Sequence, residues 1–433
     1  MKLTVIGCGY LGATHAACMA ELGHEVLGVD ADPDKVAVLN SGRAPFFEHG
    51  LDELLARHTA SGRLRFTGSV AEAAAFGDLH FVGVGTPQRA GEQAYDLTHL
   101  FTAVRQLASH VRGKAVVAVK STVPVGTAAR LAETLGEGVE LAWNPEFLRE
   151  SNAVEDSLRP DRLVLGFGSG GSRAETVLRQ CYAKIIDAGT PTIVTDWATA
   201  ELAKSAANAF LATKISFINA MAEICEASGA DVRQLADVLG HDARIGHRGM
   251  APGLGYGGGC LPKDLRGFRA RADELGADRA VALLGEVDAV NQARRERVVS
   301  LVREECGGSL EGRRITVWGA AFKPDTDDIR DAPALAVARR LHELGATVTV
   351  TDPQALDKAR KAHPQLVCVD SPVEAAEGAD VLLHLTEWPE YGRIDPRVVR
   401  ERVGRACVVD GRGTLDAGRW REAGWTVRGL GRR

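Results

Sequence analysis

Apolar residues along this chain come in short runs that end in glycine or polar residues, and the runs alternate with helical stretches. Residues 3–6 form a buried-strand pattern, followed by Gly7-Cys8-Gly9-Tyr10-Leu11-Gly12, a helical stretch at 13–22, and Gly23, which ends it. Residues 25–30 read as the next strand. Further strands are expected at 79–85, 115–120 and 141–143. Each leads into a polar turn: Thr86-Pro87, Ser121-Thr122-Val123-Pro124-Val125-Gly126-Thr127 and Asn144-Pro145-Glu146-Phe147-Leu148-Arg149-Glu150. Continuous apolar strands alternating with helices predict an α/β fold with a parallel sheet. From 198 to 228 there is neither Gly nor Pro, which predicts one helix of about 31 residues, ~46 Å long at 1.5 Å per residue. Asp196 stands where it can cap that helix, and Gly229 closes it. Charged residues and Gly307-Gly308 break the pattern after 296. A second βαβ unit then opens at Gly312, with a helix at 334–344 and strands at 346–352, 379–384 and 405–410. The expected organisation is two doubly wound Rossmann-like halves joined by a long helix, divided as 1–196, 197–296 and 310–433.

The first turn has the context that a lone glycine pattern lacks: strand, G-x-G-x-x-G, helix, strand, acid. Gly7 permits the tight turn, Gly9 lets a pyrophosphate approach backbone N–H groups, and Gly12 lets the helix pack on the strand. Asp30 can accept both ribose hydroxyls, and Ala31 rather than Arg follows it, so NAD is expected over NADP. In an open parallel sheet, ligands lie outside the carboxyl ends of the strands. The turns at 86, 121 and 144 belong there. The pair Glu146 and Glu150, spaced i, i+4, is an odd choice beside an anionic cofactor unless it serves chemistry. The second βαβ unit has no G-x-G-x-x-G and carries Ala320-Ala321-Phe322-Lys323-Pro324-Asp325-Thr326-Asp327-Asp328-Ile329-Arg330 instead. Its lysine and arginine suit a different phosphate ligand.

Composition narrows the function classes. Fifty-two basic against 57 acidic residues give a net charge of −5, so there is no footprint for nucleic acid or an anionic membrane. No apolar run reaches membrane-spanning length, and residues 2–6 read as a strand rather than as a signal peptide. The eight cysteines are scattered, with no C-x-x-C pair and no zinc spacing. A reduced, cytoplasmic chain with mostly buried thiols and no metal is expected.

One cysteine stands apart. Gly255-Tyr256-Gly257-Gly258-Gly259-Cys260-Leu261-Pro262-Lys263-Asp264 places a thiol behind a run of glycines, with a lysine and a carboxylate following. On its own this is either a turn holding a buried cysteine or a loop presenting a nucleophile. Lys204 and Asn208, four apart on the long helix, share a face. Lys204 either meets a charge partner in a cleft or snorkels to solvent.

Taken together, these motifs resemble the nucleotide-sugar dehydrogenases of the UDP-glucose/GDP-mannose dehydrogenase family, over nearly the whole chain. The resemblance implies oxidation of a primary alcohol to a carboxylate, two NAD⁺ being reduced per sugar, with UDP-glucose as the nucleotide sugar. It assigns Cys260 as nucleophile, Lys204 and Asn208 to the C6 oxygen, and Asp264, Glu146 and Thr122 to water and proton transfer. Gly7, Gly9, Tyr10, Leu11, Gly12, Asp30, Lys35, Thr86, Thr122, Glu150, Lys263 and Arg330 fall near NAD. Glu146, Phe147, Leu148, Glu150, Lys204, Asn208, Gly253, Leu254, Gly255, Tyr256, Gly257 and Lys323 fall near the nucleotide sugar. Arg244 matches an arginine that reaches a neighbouring subunit's substrate, so a homodimer or larger homo-oligomer is implied. Two departures bear on the sugar. Gly259 and Leu261 stand where many members have Ser and Phe, and Met250-Ala251-Pro252 replaces a Lys-Ala-Ser segment. GDP-mannose-oxidising members share much of the cysteine loop and remain the alternative.

Overall fold

The computed structural model describes residues 1–169 and 172–432. The chain divides into two compact units, Met1–Ala207 and Asn208–Arg433. The helix Trp197–Ser228 starts in the first and ends in the second.

The first unit is built on an eight-stranded sheet: β1 (Lys2–Ile6), β2 (Glu25–Val29), β3 (Leu64–Thr67), β4 (Leu79–Val82), β5 (Ala115–Val119), β6 (Val139–Trp143), β7 (Leu163–Phe167) and β8 (Thr192–Asp196), in the order β3-β2-β1-β4-β5-β6-β7-β8. The first six strands follow the 3-2-1-4-5-6 order of a doubly wound dinucleotide fold. β7 joins antiparallel to β6, and β8 runs parallel to β7. This extension was not expected from the sequence. Strand alternation feeds two cores. Leu3, Val5, Val116 and Ala118 face one cluster, whereas Ile6, Val117 and Val119 face the other. A sheet covered on both faces needs strands that are apolar throughout, which is why β5 has no polar side in the sequence.

The second unit repeats the order with six strands: β9 (Arg314–Trp318), β10 (Thr347–Thr351), β11 (Val367–Cys368), β12 (Val381–His384), β13 (Cys407–Asp410) and β14 (Thr426–Gly429), arranged β11-β10-β9-β12-β13-β14. All its pairings are parallel.

The expected long helix is present as a 32-residue element, Trp197–Ser228. Asp196 Oδ1 accepts the Thr199 N–H at 2.8 Å, as a cap does. The break expected after 296 is not there. The helix Asp278–Glu305 runs straight through it and is 28 residues long. Arg and Glu are good helix formers, and Val298, Val299, Leu301 and Val302 provide a buried face. The charges therefore mark the solvated side of a helix, and the real stop is Cys306-Gly307-Gly308. Among the described residues, no helix is long and apolar enough to cross a membrane.

Candidate functional site

In the first unit, the glycine turn has the shape expected for a dinucleotide. Gly7 sits at φ +89°, closed to L side chains without strain. A Cβ on Gly12 would lie 1.8 Å from the Gly7 carbonyl oxygen, so the helix Tyr10–Glu21 packs as tightly as only glycine allows. Gly9 has nothing within 4 Å of a Cβ position and is exposed. An anion therefore has room against the turn and the helix N-terminus. Asp30, at the end of β2, accepts the Cys8 N–H at 2.9 Å and both contacts from Lys35 Nζ at 3.0 Å. These residues fit NAD. Thr86 donates its hydroxyl to the Thr122 carbonyl at 2.6 Å, tying the turns after β4 and β5 together. Tyr10 donates to Glu48, whose Oε2 also accepts Ser151 N–H at 2.8 Å, so the turn, Glu48 and the 146–151 loop are joined. Leu11 packs at van der Waals distance from Gly83, 3.6 Å from its Cβ position. Glu150 lies half-buried on the same loop.

The loop after β6 carries the buried charges. Lys204 Nζ meets Glu146 Oε1 at 2.8 Å, with side-chain exposures of only 6% and 12%. Lys204 therefore has the charge partner, and the snorkelling alternative is excluded. The other Glu146 oxygen accepts the Leu148 N–H at 2.6 Å. Phe147 lies between two cations, Arg162 at 3.7 Å and Lys204 at 5.8 Å from its ring centre. A buried ion pair is a costly way to gain stability. Its presence at the carboxyl edge of the sheet points to chemistry.

In the second unit, Cys260 is the residue before the helix Leu261–Glu274 and, among the described residues, the one exposed cysteine. The partial positive charge of a helix N-terminus favours an anionic sulfur there. The other thiols behave as packing. Burial pushes those of Cys18, Cys181 and Cys407 up to about 12. One turn further on, Asp264 is 1% exposed and accepts from Asn208 Nδ2 at 2.7 Å and from Lys263 Nζ at 2.6 Å. A buried carboxylate with an amide and an ammonium on it is a held group, aimed from the first turn of the helix that Cys260 opens.

The glycine run serves the protein's own packing at several positions. A Cβ on Gly255 (φ +93°) would lie 2.3 Å from Asn291 Oδ1, and one on Gly257 would lie 2.4 Å from the Asp331 carbonyl oxygen. Gly258 lies on the Phe322 ring, and its N–H donates to the Arg330 carbonyl at 3.0 Å. Asn291 accepts the Tyr256 N–H at 2.9 Å and donates to the Tyr256 carbonyl at 3.0 Å. The Gly253 N–H is held by Asn219 at 2.9 Å. Leu254 and Tyr256 are core side chains, so any ligand contact from them falls to backbone. A Cβ on Gly259 would sit 2.2 Å from the Arg330 guanidinium. Arg330 itself pairs with Asp328 at 2.6 Å. The serine of many relatives at this position would need Arg330 to move. Lys323 lies half-buried beside the Phe322 ring, 5.7 Å from its centre. Arg244 is 88% exposed and pairs with Asp242 at 2.6 Å.

Three residues escaped the sequence reading. Lys120, at the end of β5, is buried, with Nζ 2.8 Å from Asn144 Oδ1 and 3.4 Å from Tyr182 Oη. Burial takes its ammonium down to about 8; Lys204 adds to this, and Glu146 opposes it. It braces the turn that carries Glu146. Glu201 is 2% exposed on the long helix and accepts the N–H of Gly126 at 2.7 Å and of Ala128 at 2.5 Å. Asn291 clamps Tyr256. A polar residue closing an apolar strand was the available signal for Lys120; the other two gave none.

Models of the UDP-glucose/GDP-mannose dehydrogenase family match in three consecutive parts: its NAD binding domain at 1–186, its central domain at 198–293 and its UDP binding domain at 316–417. The chain is 42% identical over 415 residues to the UDP-glucose 6-dehydrogenase of Rhizobium meliloti (strain 1021), covering 95% of this chain and 94% of the relative. It is 39% identical over 448 residues to the UDP-glucose 6-dehydrogenase of Pseudomonas aeruginosa, covering 100% and 98%. Among solved structures, a UDP-glucose dehydrogenase from Pyrobaculum islandicum superposes with a TM-score of 0.91 at 38% identity, over 100% of this chain and 98% of that one.

Proposed function

The chain belongs to the UDP-glucose/GDP-mannose dehydrogenase family and is an NAD-dependent dehydrogenase, and from that premise we propose that it oxidises the C6 alcohol of UDP-glucose to the carboxylate of UDP-glucuronate. The observation that carries the reading is Cys260: an exposed thiol at a helix N-terminus, one turn before a buried, hydrogen-bonded Asp264. NAD⁺, when bound, would accept one hydride in each of two successive oxidations, one cofactor molecule for each. The first removes a hydride from C6 and a proton from its hydroxyl, giving the aldehyde. An aldehyde carbonyl does not donate a hydride, so the second oxidation needs a nucleophile. Addition of the Cys260 thiolate to the aldehyde carbon gives a thiohemiacetal. Loss of hydride from that carbon and of the hydroxyl proton gives a thioester. Water then cleaves the C–S bond, releasing carboxylate and thiol. Lys204, held by Glu146, stabilises negative charge on the C6 oxygen, and Asn208 positions it. Asp264, Glu146 and Thr122 orient water and carry protons.

The nucleotide half of the substrate goes with the UDP binding domain match, where Lys323 lies. A homodimer is supported by Phe210, Phe217 and Ile224, which recur every seven residues on the long helix and are 67%, 48% and 58% exposed. The exposed Arg244 fits a contact to a neighbouring copy. Light scattering on the purified protein should give twice the mass of the 46.1 kDa chain or a multiple of that.

The test of the activity is NADH formed per sugar. Two NADH per UDP-glucose are expected. One would indicate a single-hydride alcohol dehydrogenase, and none a non-catalytic nucleotide-sugar sensor. GDP-mannose and UDP-N-acetylhexosamines tested alongside decide the sugar; faster turnover of GDP-mannose would replace the UDP-glucose reading.

A further inference from the structure

Outside the dehydrogenase residues, the second unit brings together three metal-ligating side chains that spacing along the chain does not reveal. Asp237 and His241 stand four apart, spanning the last turn of the helix Val232–Gly240 and the residue after it. His247 returns from the following loop. One ligand atom from each of the three lies within 4.8 Å of the others. Asp237 Oδ1 is 3.7 Å from His241 Nδ1 and 3.9 Å from His247 Nδ1. The two imidazoles meet edge to face with ring centres 4.9 Å apart.

Two features make this more than a chance gathering of surface groups. The Nδ1 of His241 is 2.8 Å from the Asp237 carbonyl oxygen. That contact holds the imidazole at the end of the helix, with Nδ1 turned towards the Asp237 carboxylate. His247 is held in place by packing. Its ring covers Gly240 so closely that a Cβ there would lie 2.0 Å from Nδ1. The loop before and after it is pinned as well, because Lys214 Nζ donates to the carbonyls of Ile245, Gly246 and Arg248 at 2.9, 3.3 and 2.6 Å.

We propose that Asp237, His241 and His247 form a binding site for a divalent transition-metal cation, with Zn²⁺ the best fit. Two imidazoles and one carboxylate suit Zn²⁺, which takes nitrogen at about 2.0–2.1 Å and carboxylate oxygen at about 2.0–2.2 Å. Ligand atoms on a tetrahedron of that size stand closer together than they do here, so binding would draw the exposed Asp237 and His241 side chains in towards His247. The fourth position is left to water. The same loop carries Arg244, so the ion would tie the end of the helix to that arginine's loop.

The test needs no turnover and is therefore independent of the proposed reaction. Chelator-treated full-length protein carrying Cys260→Ser, so that the exposed thiol does not compete, is titrated with Zn²⁺ against a chromophoric chelator. Co²⁺ serves as the spectroscopic probe. The expected result is one ion per chain, with Co²⁺ showing the intense visible bands of tetrahedral coordination. Asp237→Asn, His241→Ala and His247→Ala should each weaken binding at least tenfold while leaving the apo melting temperature unchanged. Zn²⁺ should raise the melting temperature of the parent but not of these variants, by mass action. Sub-stoichiometric binding, or affinity that the three substitutions leave unaltered, would overturn the proposal.

Discussion

The six-stranded sheet has the order of the first six strands of the eight-stranded one, yet only one of the two first turns is open. After β1 the chain reads Gly7-Cys8-Gly9, and after β9 it reads Gly319-Ala320-Ala321. Gly7 and Gly319 both take positive φ, at +89° and +117°. The second strand of each unit is followed by an aspartate. Asp30 takes one N–H from its turn, at Cys8, a second from Asp32 at 3.1 Å, and shares its oxygens with the half-buried Lys35. Asp352 takes two, from Ala320 at 2.7 Å and Ala321 at 2.9 Å, as well as Trp388 Nε1 at 3.0 Å and the N–H groups of Gln354 and Ala355. Gly7 and Gly319 are both closed in, an added Cβ meeting Val84 Cγ1 at 2.7 Å in one and Thr386 Oγ1 at 2.3 Å in the other; two residues further on, the first turn has the open Gly9 and the second the buried Ala321. The Gly9 N–H, which a pyrophosphate would approach, corresponds to that of Ala321, and Asp352 already holds the latter. One fold thus gives a ligand site where its turn is left unfinished and a structural cap where it is completed.

The strand ends next to this turn differ in the same manner. β13 ends at Asp410, buried and satisfied by the N–H groups of Arg412, Gly413 and Leu415 at 3.2, 2.7 and 2.9 Å. β5 leads into Lys120, a buried cation bonded to the turn that carries Glu146. The loop around Cys260 belongs to neither sheet, and in the proposed mechanism labour is divided: the first unit would hold the cofactor, and the second would carry the nucleophile.

Substitutions can break this division. The largest effect is expected from Cys260→Ser, which should lower acid formation by about a thousandfold or more, while NAD⁺ affinity stays near wild type in equilibrium titration. Lys204→Ala should follow. It leaves Glu146 buried without its ammonium, and kcat should fall by about a hundredfold or more, with far less change in NAD⁺ affinity. The two aspartates should then separate. Asp352→Ala strands several buried donors and should cost about 3 kcal/mol of stability, read by chemical denaturation. Asp30→Ala should leave stability within about 1 kcal/mol and instead raise the KM for NAD⁺. Equal melting losses in the two variants would erase the distinction between the turns.

The smallest effect concerns pH. The Lys120 ammonium falls from its ordinary 10.5 to about 8 in the folded chain. Between those values the unfolded chain binds the extra proton, so this group's contribution to stability rises with pH across that window. Relative to Lys120→Met, the wild type should therefore gain stability from pH 8 towards 10.5, by on the order of 3 kcal/mol at most. A flat difference would mean that Lys120 is not buried as a titrating cation.

The cofactor half was legible because glycine chemistry is local. Gly7, Gly9, Gly12 and Asp30 each answer to one stereochemical demand that short-range sequence states. The buried apolar strands were legible for the same reason. What could not be read depends on distant partners. Lys204 was ambiguous because Glu146, 58 residues away, decides whether it is buried. The packing of the glycines before Cys260 could not be read either, because it rests on Asn291 against Gly255 and Asp331 against Gly257. A break was expected after 296 because charge looked like a boundary, when it was one face of the helix Asp278–Glu305. β7 and β8 are additions beyond the six-strand frame, which alternation of strands and helices does not announce.

The most direct test is for the covalent intermediate itself. Enzyme slowed at hydrolysis by Asp264→Asn is mixed with NAD⁺ and UDP-glucose, quenched in acid and examined by peptide mass spectrometry. The account predicts a UDP-glucuronyl thioester on Cys260, accompanied by two NADH per modified chain. Release of UDP-glucuronate by the wild-type enzyme with no adduct on Cys260 in the slowed variant, or undiminished acid formation in Cys260→Ser, would contradict it.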